Sequence, residues 1–301
     1  MGYLYFSLAL LCGLIKAYCG KRSSHTASTT YDAVCINTLR MLLCILIGLI
    51  LVLFDGAFAG VTLTPQLLLI SLLCGASTAG FVVSWLLAVH SLSYMLVEVF
   101  IMGGVLFPLL FSALCYGEAV GAWQAVGILL LLFAVYCMCS NKRGEPSARL
   151  SPKGFLLLFA CAAFSGFSDF SQKLYVNECV GATVSFFNLC TYVFAALTLA
   201  AALLFFRRAE KRKGELPTVK SIVLPILPYI VIMAICLFLN SYFKTLSASY
   251  LDAVILYPLS QGMSVALALL MSAVLFKEKV NAKMLFGVAL AVFSMILINL
   301  A

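Results

Sequence analysis

The chain has 301 residues, of which 64% are hydrophobic and only 10% are charged. A water-soluble globular domain carries about 25% charged residues, so the composition excludes an ordinary water-facing surface and predicts that most of the exterior contacts lipid. The net charge of +8 does not indicate nucleic-acid binding. Lysine and arginine lie in short segments between apolar runs, where basic residues set membrane topology.

Apolar runs of about 20 residues, separated by polar breaks, predict ten membrane-spanning α-helices. In chain order, the predicted spans are residues 3–20, 32–54, 66–89, 93–115, 119–140, 154–174, 181–206, 221–245, 250–275 and 282–300. A β-barrel is not favoured, because the runs are unbroken and do not alternate at every second residue. Helices also satisfy their own backbone hydrogen bonds within hydrocarbon. The sequence therefore predicts an all-α polytopic membrane protein.

The two halves of the chain resemble each other. Leu-Cys-Tyr-Gly-Glu-Ala-Val around Glu118 and Val-Leu-Phe-Lys-Glu-Lys-Val around Glu278 superpose at a spacing of 160 residues, which also relates Gly127 to Gly287. An odd number of spans per half requires the second half to enter the membrane in the opposite orientation, so we predict two inverted five-helix repeats. The predicted units are residues 1–140, a basic connecting loop at 141–153 and residues 154–301.

The distribution of basic residues predicts the orientation. Loops after spans 1, 5, 7 and 9 hold fifteen of the nineteen lysines and arginines, so we expect these loops in the cytoplasm and both termini outside an inner or plasma membrane. Lys173 and Lys244 are assigned near even-numbered loops, while Lys16 and Arg40 lie inside spans. The first apolar run precedes Lys21 and follows no basic residue, which predicts an uncleaved span.

The repeat motifs and a polar segment in the second span carry a family resemblance. The Gly-Glu and Lys-Glu pairs at Glu118 and Glu278, the glycine nine residues after each, the Asn37-Thr-Leu-Arg40-Met segment and the duplication resemble the EamA-type branch of the drug/metabolite transporter superfamily. The resemblance covers nearly the whole chain. It implies a ten-helix bundle around a central cavity lined by both halves, and transport by alternating access. The family is usually drawn with cytoplasmic termini, opposite to the orientation that the charges predict.

Ionisable residues inside predicted spans are the first candidates for a functional site, because their burial in hydrocarbon is costly. Four of them stand out: Lys16, Arg40, Glu98 and Asp169. Glu98 is the expected partner of Lys16 or Arg40. It is also a candidate proton carrier, because burial favours the protonated form of a carboxyl group. Asp169 has Lys173 four residues later, which predicts a pair within one helix. The alternative for Lys16 is that its long side chain extends to the cytoplasmic surface.

Uncharged polar residues in the spans form a second set of binding candidates. They are Asn37, Trp85, Asn188, Tyr192, Asn240, Tyr257 and Gln261. The alternative for the amides is hydrogen bonding between helices. Pro258 follows Tyr257 in mid-span, and a proline there leaves a carbonyl unpaired, which predicts a helix break of the kind found at transporter binding sites. The Glu118 and Glu278 motifs at span ends are interpreted as structural turns.

The leading functional hypothesis is a secondary carrier of a small polar or zwitterionic organic metabolite. Two basic and two acidic in-span charges balance, and aromatic side chains suit a planar solute, so an amino acid, a nucleoside or a vitamin-like molecule each fits. A proton or another ion is the candidate coupling species. The alternatives are a multidrug or cation exporter of the same fold, which needs an unpaired buried acid, and a non-transporting receptor or assembly protein.

Enzymatic and cofactor-dependent functions have no supporting motif. The sequence holds no Walker-type lysine motif, no nucleophile elbow and no paired acids at a membrane face. Its twelve cysteines lie almost all in apolar runs, where cysteine packs as a small hydrophobe, and no CxxC pair occurs. We therefore expect no metal and no cofactor. The expected partners are a small-molecule substrate and the lipid bilayer, with the chain as a monomer or a homodimer.

Overall fold

The computed structural model describes residues 1–55, 63–117, 121–139, 151–179, 181–213, 219–277 and 282–300. Within these ranges the regular structure is helical, and no strand is present. The helices are α1 (Gly2–Ser23), α2 (Thr30–Phe54), α3 (Pro65–Ser91), α4 (Tyr94–Gly103), α5 (Leu106–Tyr116), α6 (Ala122–Cys139), α7 (Pro152–Glu178), α8 (Val184–Lys213), α9 (Val219–Val223), α10 (Leu227–Ala248), α11 (Ala253–Val274) and α12 (Ala282–Leu300). Short 3-10 turns lie at Ser24–Thr26 and Leu224–Ile226.

Eight helical segments in these ranges are long and apolar enough to cross a membrane. They comprise α1, α2, α3, α4 with α5, α7, α8, α9 with α10, and α11. The apolar parts of α6 and α12, the predicted fifth and tenth spans, are shorter. Large apolar side chains such as Phe54, Leu69 and Phe205 are exposed on the outside of the bundle, as lipid contact requires. The prediction of an all-α polytopic membrane protein is confirmed.

Two helix starts explain why the predicted span boundaries are close to the observed ones. Thr64 and Ser151 each accept a hydrogen bond from the backbone N–H three residues later, and each is followed by a proline at the first helical position. Proline is favoured there because it has no N–H to satisfy and its φ suits a helix. These local signals begin α3 at Pro65 and α7 at Pro152.

The helices of the two halves interleave around a common centre. The most extensive packing joins α1 with α10, α3 with α7, α6 with α12, α2 with α8 and α3 with α8, and smaller contacts join α2 with α10 and α4 with α11. The first five spans therefore do not form a separate body from the last five. Each half supplies helices to the wall of one central space.

The fourth predicted span is broken, whereas the ninth is continuous. The helix is interrupted at Gly104–Val105 between α4 and α5, where α7 passes closely. A Cβ on Gly166 would lie 2.4 Å from the Gly104 carbonyl oxygen and 2.7 Å from Phe107 Cβ. Only glycine allows this approach. The predicted break at Pro258 is absent, since α11 runs without interruption from Ala253 through Pro258 to Val274.

The two motifs that the sequence analysis interprets as structural turns follow α5 and α11. Gly117, after α5, has a φ of 64°, and Lys277, after α11, has a φ of 52°, so both adopt the left-handed conformation that reverses a helix end. Glu118 and Glu278, which the sequence motifs single out, lie outside the described residues.

Candidate functional site

A polar cavity of about 160 Å³ lies at the centre of the bundle. Its wall is built by α1, α3, α4, α7, α10 and α11, with one residue each from α2 and α8. Its ionisable lining residues, cysteine and tyrosine apart, are Lys16, Arg40, Glu98, Asp169 and Lys244. The four in-span charges singled out in the sequence are thus brought together in one space, with Lys244 as a fifth.

Asp169 on α7 forms an ion pair with Lys244 on α10. Lys244 Nζ lies 2.6 Å from Asp169 Oδ1, and the ammonium group also lies 5.6 Å from the ring centroid of Tyr257. The Tyr257 hydroxyl donates to the Asp169 carbonyl oxygen at 2.7 Å. Lys173, the partner expected from the spacing, is not the residue that pairs with Asp169. A helical spacing reveals partners on the same helix only, and here a neighbouring helix supplies the closer cation.

Glu98 on α4 is held by aromatic side chains. Trp85 Nε1 donates to Glu98 Oε1 at 3.1 Å, and Tyr94 is a second side-chain hydrogen-bond partner of the carboxyl group. Lys16 lies within electrostatic range of Glu98, but the two do not form an ion pair, contrary to the sequence expectation. Lys16 lines the cavity, so the alternative in which it extends to the cytoplasmic surface does not apply either.

Arg40 on α2 has a neutral partner. The side chain is 3% exposed, and its Nη1 donates to Asn37 Oδ1 at 3.3 Å. Asn37 Nδ2 donates to the carbonyl oxygens of Ala33 and Val82, at 2.9 and 3.2 Å, which fixes the amide with its oxygen toward Arg40. Arg40 Nε has no hydrogen-bond partner. Among the described residues, no carboxylate pairs with this guanidinium group.

The uncharged candidates divide between the cavity surface and the layer behind it. Trp85, Tyr192, Asn240 and Gln261 line the cavity, whereas Asn37, Asn188 and Tyr257 do not. The alternative of helix-to-helix hydrogen bonding applies to several of them. Asn240 Nδ2 donates to Ala9 O at 2.6 Å, Tyr192 donates to Leu237 O at 3.2 Å, and Asn188 Oδ1 accepts from Ser241 at 2.7 Å.

Several lining residues were missed by the sequence analysis. They are Thr78, Tyr94, Ser165, Ser168, Gln172, Ser241, Lys244, Ser260 and Ser264. A signal was present, because Ser165, Ser168, Asp169 and Gln172 recur at the spacing of one helix face. Gln172 is buried and its Oε1 has no partner. Lys244 was assigned near a loop because it is close to the end of its span, but it lies within α10.

Comparison with known proteins identifies the family. The profile of the EamA-like transporter family matches residues 152–300. A solved structure titled only "Crystal structure of protein" is similar over 99% of this chain and 96% of its own, with a TM-score of 0.68 and 17% sequence identity, which shows a shared fold. Curated protein sequences give no match.

The apolar exterior, the helical bundle and the family match together define a multi-pass membrane transporter. The chain belongs to the EamA-like transporter family, within the drug/metabolite transporter superfamily. Members of this family are transporters and not enzymes. Membership implies a small-molecule substrate and a lipid bilayer as partners.

Proposed function

We propose that the chain is a secondary carrier that moves a small polar or zwitterionic organic metabolite through the central cavity. The cavity is the observation that carries the proposal. Five ionisable side chains line it at the centre of an otherwise apolar bundle, and charged groups at such depth mark substrate and ion pathways. The space of about 160 Å³ suits a metabolite, since roughly 10–15 Å³ of such volume holds one water molecule.

The proposed architecture is ten spans in two inverted five-helix repeats, residues 1–140 and 154–301. The helix pairing supports it. In the proposed repeat, α1 corresponds to α7, α3 corresponds to α10, and the members of the pairs α2 and α8, α4 and α11, and α6 and α12 correspond to each other. The contact of α1 with α10 therefore has its counterpart in the contact of α7 with α3. The other three pairs join corresponding helices directly. Asn37 on α2 bonds to α3 through Val82 O, and Asn188 on α8 bonds to α10 through Ser241. These are matching contacts in the two halves.

Alternating access is the proposed mechanism, and the positions of the two acids support it. Glu98 and Trp85 lie near the junction of α4 and α3. Asp169 and Lys244 lie in the last third of α7 and near the end of α10. In the proposed topology, α3 ends at the opposite membrane face from α7 and α10. The cavity would then have one hydrogen-bonded acid toward each face, and opening either end would expose a different one.

The competing functions predict different contacts or different fluxes. A cation exporter needs a buried acid free to receive the cation, whereas Asp169 is paired with Lys244 and Glu98 lies within electrostatic range of the cation Lys16. A receptor or assembly protein would bind a solute without moving it. The proposed setting is an inner or plasma membrane, with a proton or another ion as the coupling species and a monomer or homodimer as the working unit.

Reconstitution of the purified chain into proteoliposomes tests the proposal. Metabolites that raise the thermal midpoint of the protein are loaded unlabelled, and uptake of the labelled compound is followed, with tetraphenylphosphonium as the lipophilic-cation comparison. We expect counterflow of a stabilising polar metabolite and none of the cation. Binding without counterflow would favour the receptor, and flux of the cation alone would favour the exporter.

A further inference from the structure

Arg40 is a buried cation at the cavity surface without an acidic partner. Its side chain is 3% exposed, it hydrogen-bonds to the neutral Asn37 amide at 3.3 Å, and its Nε is unpartnered. An arginine cannot escape this cost by losing its proton, because its guanidinium stays charged in proteins. A buried charge without an opposite charge nearby lowers the stability of the fold. The described residues therefore leave this charge uncompensated at the cavity wall.

Lys16 adds a second positive charge close to Arg40. It lines the same cavity, and the Arg40 charge acts on it unfavourably. In the described part of the chain, Lys16 makes no hydrogen bond or ion pair. Neither acid pairs with Arg40, because Asp169 is paired with Lys244 and Glu98 lies within electrostatic range of Lys16 without forming an ion pair with it.

The lining charges do not balance. With each side chain in its ordinary state at neutral pH, Lys16, Arg40 and Lys244 oppose Glu98 and Asp169, so the cavity has one positive charge in excess. This result differs from the balance of the four charges recognised in the sequence, because Lys244 is part of the wall. A neutral or cationic solute would leave the excess charge uncompensated in a largely apolar bundle.

We propose that Arg40 and Lys16 form an anion subsite that holds a carboxylate group of the transported solute. The proposal rests on the carrier function and narrows it. A guanidinium group presents parallel N–H donors that fit the two oxygens of a carboxylate, and such charge-assisted bonds are stronger than neutral ones. A single carboxylate also matches the single excess charge. The substrate class is then a small organic acid or an acidic amino acid that carries one net negative charge, and nucleosides and lipophilic cations are excluded.

A charge series of ligands with one shape tests the subsite independently of transport. Sodium benzoate, benzamide and benzamidine hydrochloride have the same size and planar form but negative, neutral and positive charge. Each is titrated against the full-length protein in detergent at neutral pH and matched ionic strength, and the thermal midpoint gives an apparent Kd. We expect benzoate to stabilise the protein and the other two to have little effect. Phenyl phosphate, a dianion, should bind more weakly than benzoate.

Substitutions of Arg40 and Lys16 test whether benzoate binds at the proposed subsite. Arg40→Gln should weaken benzoate binding at least tenfold, the scale of one charged hydrogen bond, and Lys16→Gln should weaken it in the same direction if Arg40→Gln does not fold. Arg22→Gln is the matched control, since it removes an exposed positive charge from the end of α1 outside the cavity. We expect its benzoate affinity to equal that of the wild type.

The outcomes separate this subsite from the carrier proposal. Equal stabilisation by the three planar ligands, no stabilisation by benzoate, or stronger binding of phenyl phosphate would each overturn the carboxylate subsite, and the counterflow assay would still stand on its own. Unchanged benzoate affinity in both cavity variants would also overturn it. If Arg40→Gln abolishes benzoate binding, the carboxylate subsite is supported even when the protein shows no counterflow.

Discussion

Gly117 directly follows α5 and Lys277 lies three residues after the end of α11, and both adopt the left-handed backbone conformation, with φ of 64° and 52°. They are 160 residues apart, the spacing that relates the proposed repeats. A residue with a Cβ is disfavoured in this conformation by about 1–2 kcal/mol, whereas glycine adopts it readily. The two turns thus share a left-handed residue at matching positions, and in the second half this residue is the unfavourable one.

Replacing Lys277 with glycine should therefore stabilise the protein. We expect Lys277→Gly to raise the unfolding free energy by about 1 kcal/mol, measured as a higher thermal midpoint in detergent. Lys277→Ala is the matched control, because it removes the same charge and keeps the Cβ, and it should give no such gain. The reverse change, Gly117→Ala, should lower the midpoint. A midpoint that rises equally in the glycine and alanine variants of Lys277 would point to charge and not to backbone conformation.

The contact of α7 with the break between α4 and α5 should tolerate no side chain at Gly166. A Cβ there would lie 2.4 Å from the Gly104 carbonyl oxygen, so Gly166→Ala must separate the helices and should cost about 1–3 kcal/mol, as overpacking does. Gly103→Ala is the control, since nothing lies within 4 Å of its added Cβ. That variant should match or exceed the wild type in thermal midpoint. Equal midpoints for the two variants would show that the close approach is absent.

The helices could be predicted from the sequence because a membrane imposes strong local rules. Unbroken apolar runs, and proline following threonine or serine at helix starts, mark positions such as Pro65 and Pro152 without knowledge of the partners. The break at Gly104–Val105 could not be predicted in this way. It depends on the close passage of α7, which is a tertiary contact. The break predicted at Pro258 is also wrong, since α11 is continuous through this residue.

The charged part of the site was only partly predictable. The cost of burying charge singles out Asp169 and Arg40 from composition and position alone. The choice of partners was not predictable, because Lys244 and Lys173 are both plausible until the packing of α10 on α7 is known. The polar face of α7 was a readable signal, since its serines and Gln172 repeat with Asp169 at helical spacing. Small hydroxyl residues are common in membrane spans, so a single one does not indicate a binding site.

The pair between Asp169 and Lys244 should be energetically coupled. A double-mutant cycle with Asp169→Asn and Lys244→Met should give a coupling of about 1–3 kcal/mol, because each single change leaves a largely buried charge at the 2.6 Å contact without its partner. Unfolding in detergent measures the stability, and counterflow measures the activity. The matched cycle with Lys173→Met in place of Lys244→Met should be additive. Strong coupling to Lys173 with none to Lys244 would contradict the observed pairing.

The orientation is predicted from the loop charges and is testable without a substrate. A reporter active only in the cytoplasm should be silent when fused after Ala301 and active when inserted in the 207–220 loop, because basic loops are retained inside. Expression of both fusions is verified by immunoblotting as the control. The opposite pattern would place the termini in the cytoplasm, as the family is usually drawn, and would reverse the orientation while leaving the cavity unchanged.

Glu98 should be required for transport, and its hydrogen bond to Trp85 should influence the pH dependence of transport. Glu98→Gln keeps the shape of the side chain and its ability to accept from Trp85 Nε1, but it removes the charge and the exchangeable proton. We expect it to abolish counterflow while leaving size-exclusion behaviour and thermal midpoint near those of the wild type. Trp85→Phe keeps an aromatic ring in the cavity wall and deletes the 3.1 Å hydrogen bond, so it should retain flux with an altered pH dependence. Unchanged flux in Glu98→Gln would reduce Glu98 to a structural residue. A pH profile that is the same in Trp85→Phe and in the wild type would show that the hydrogen bond does not adjust its role.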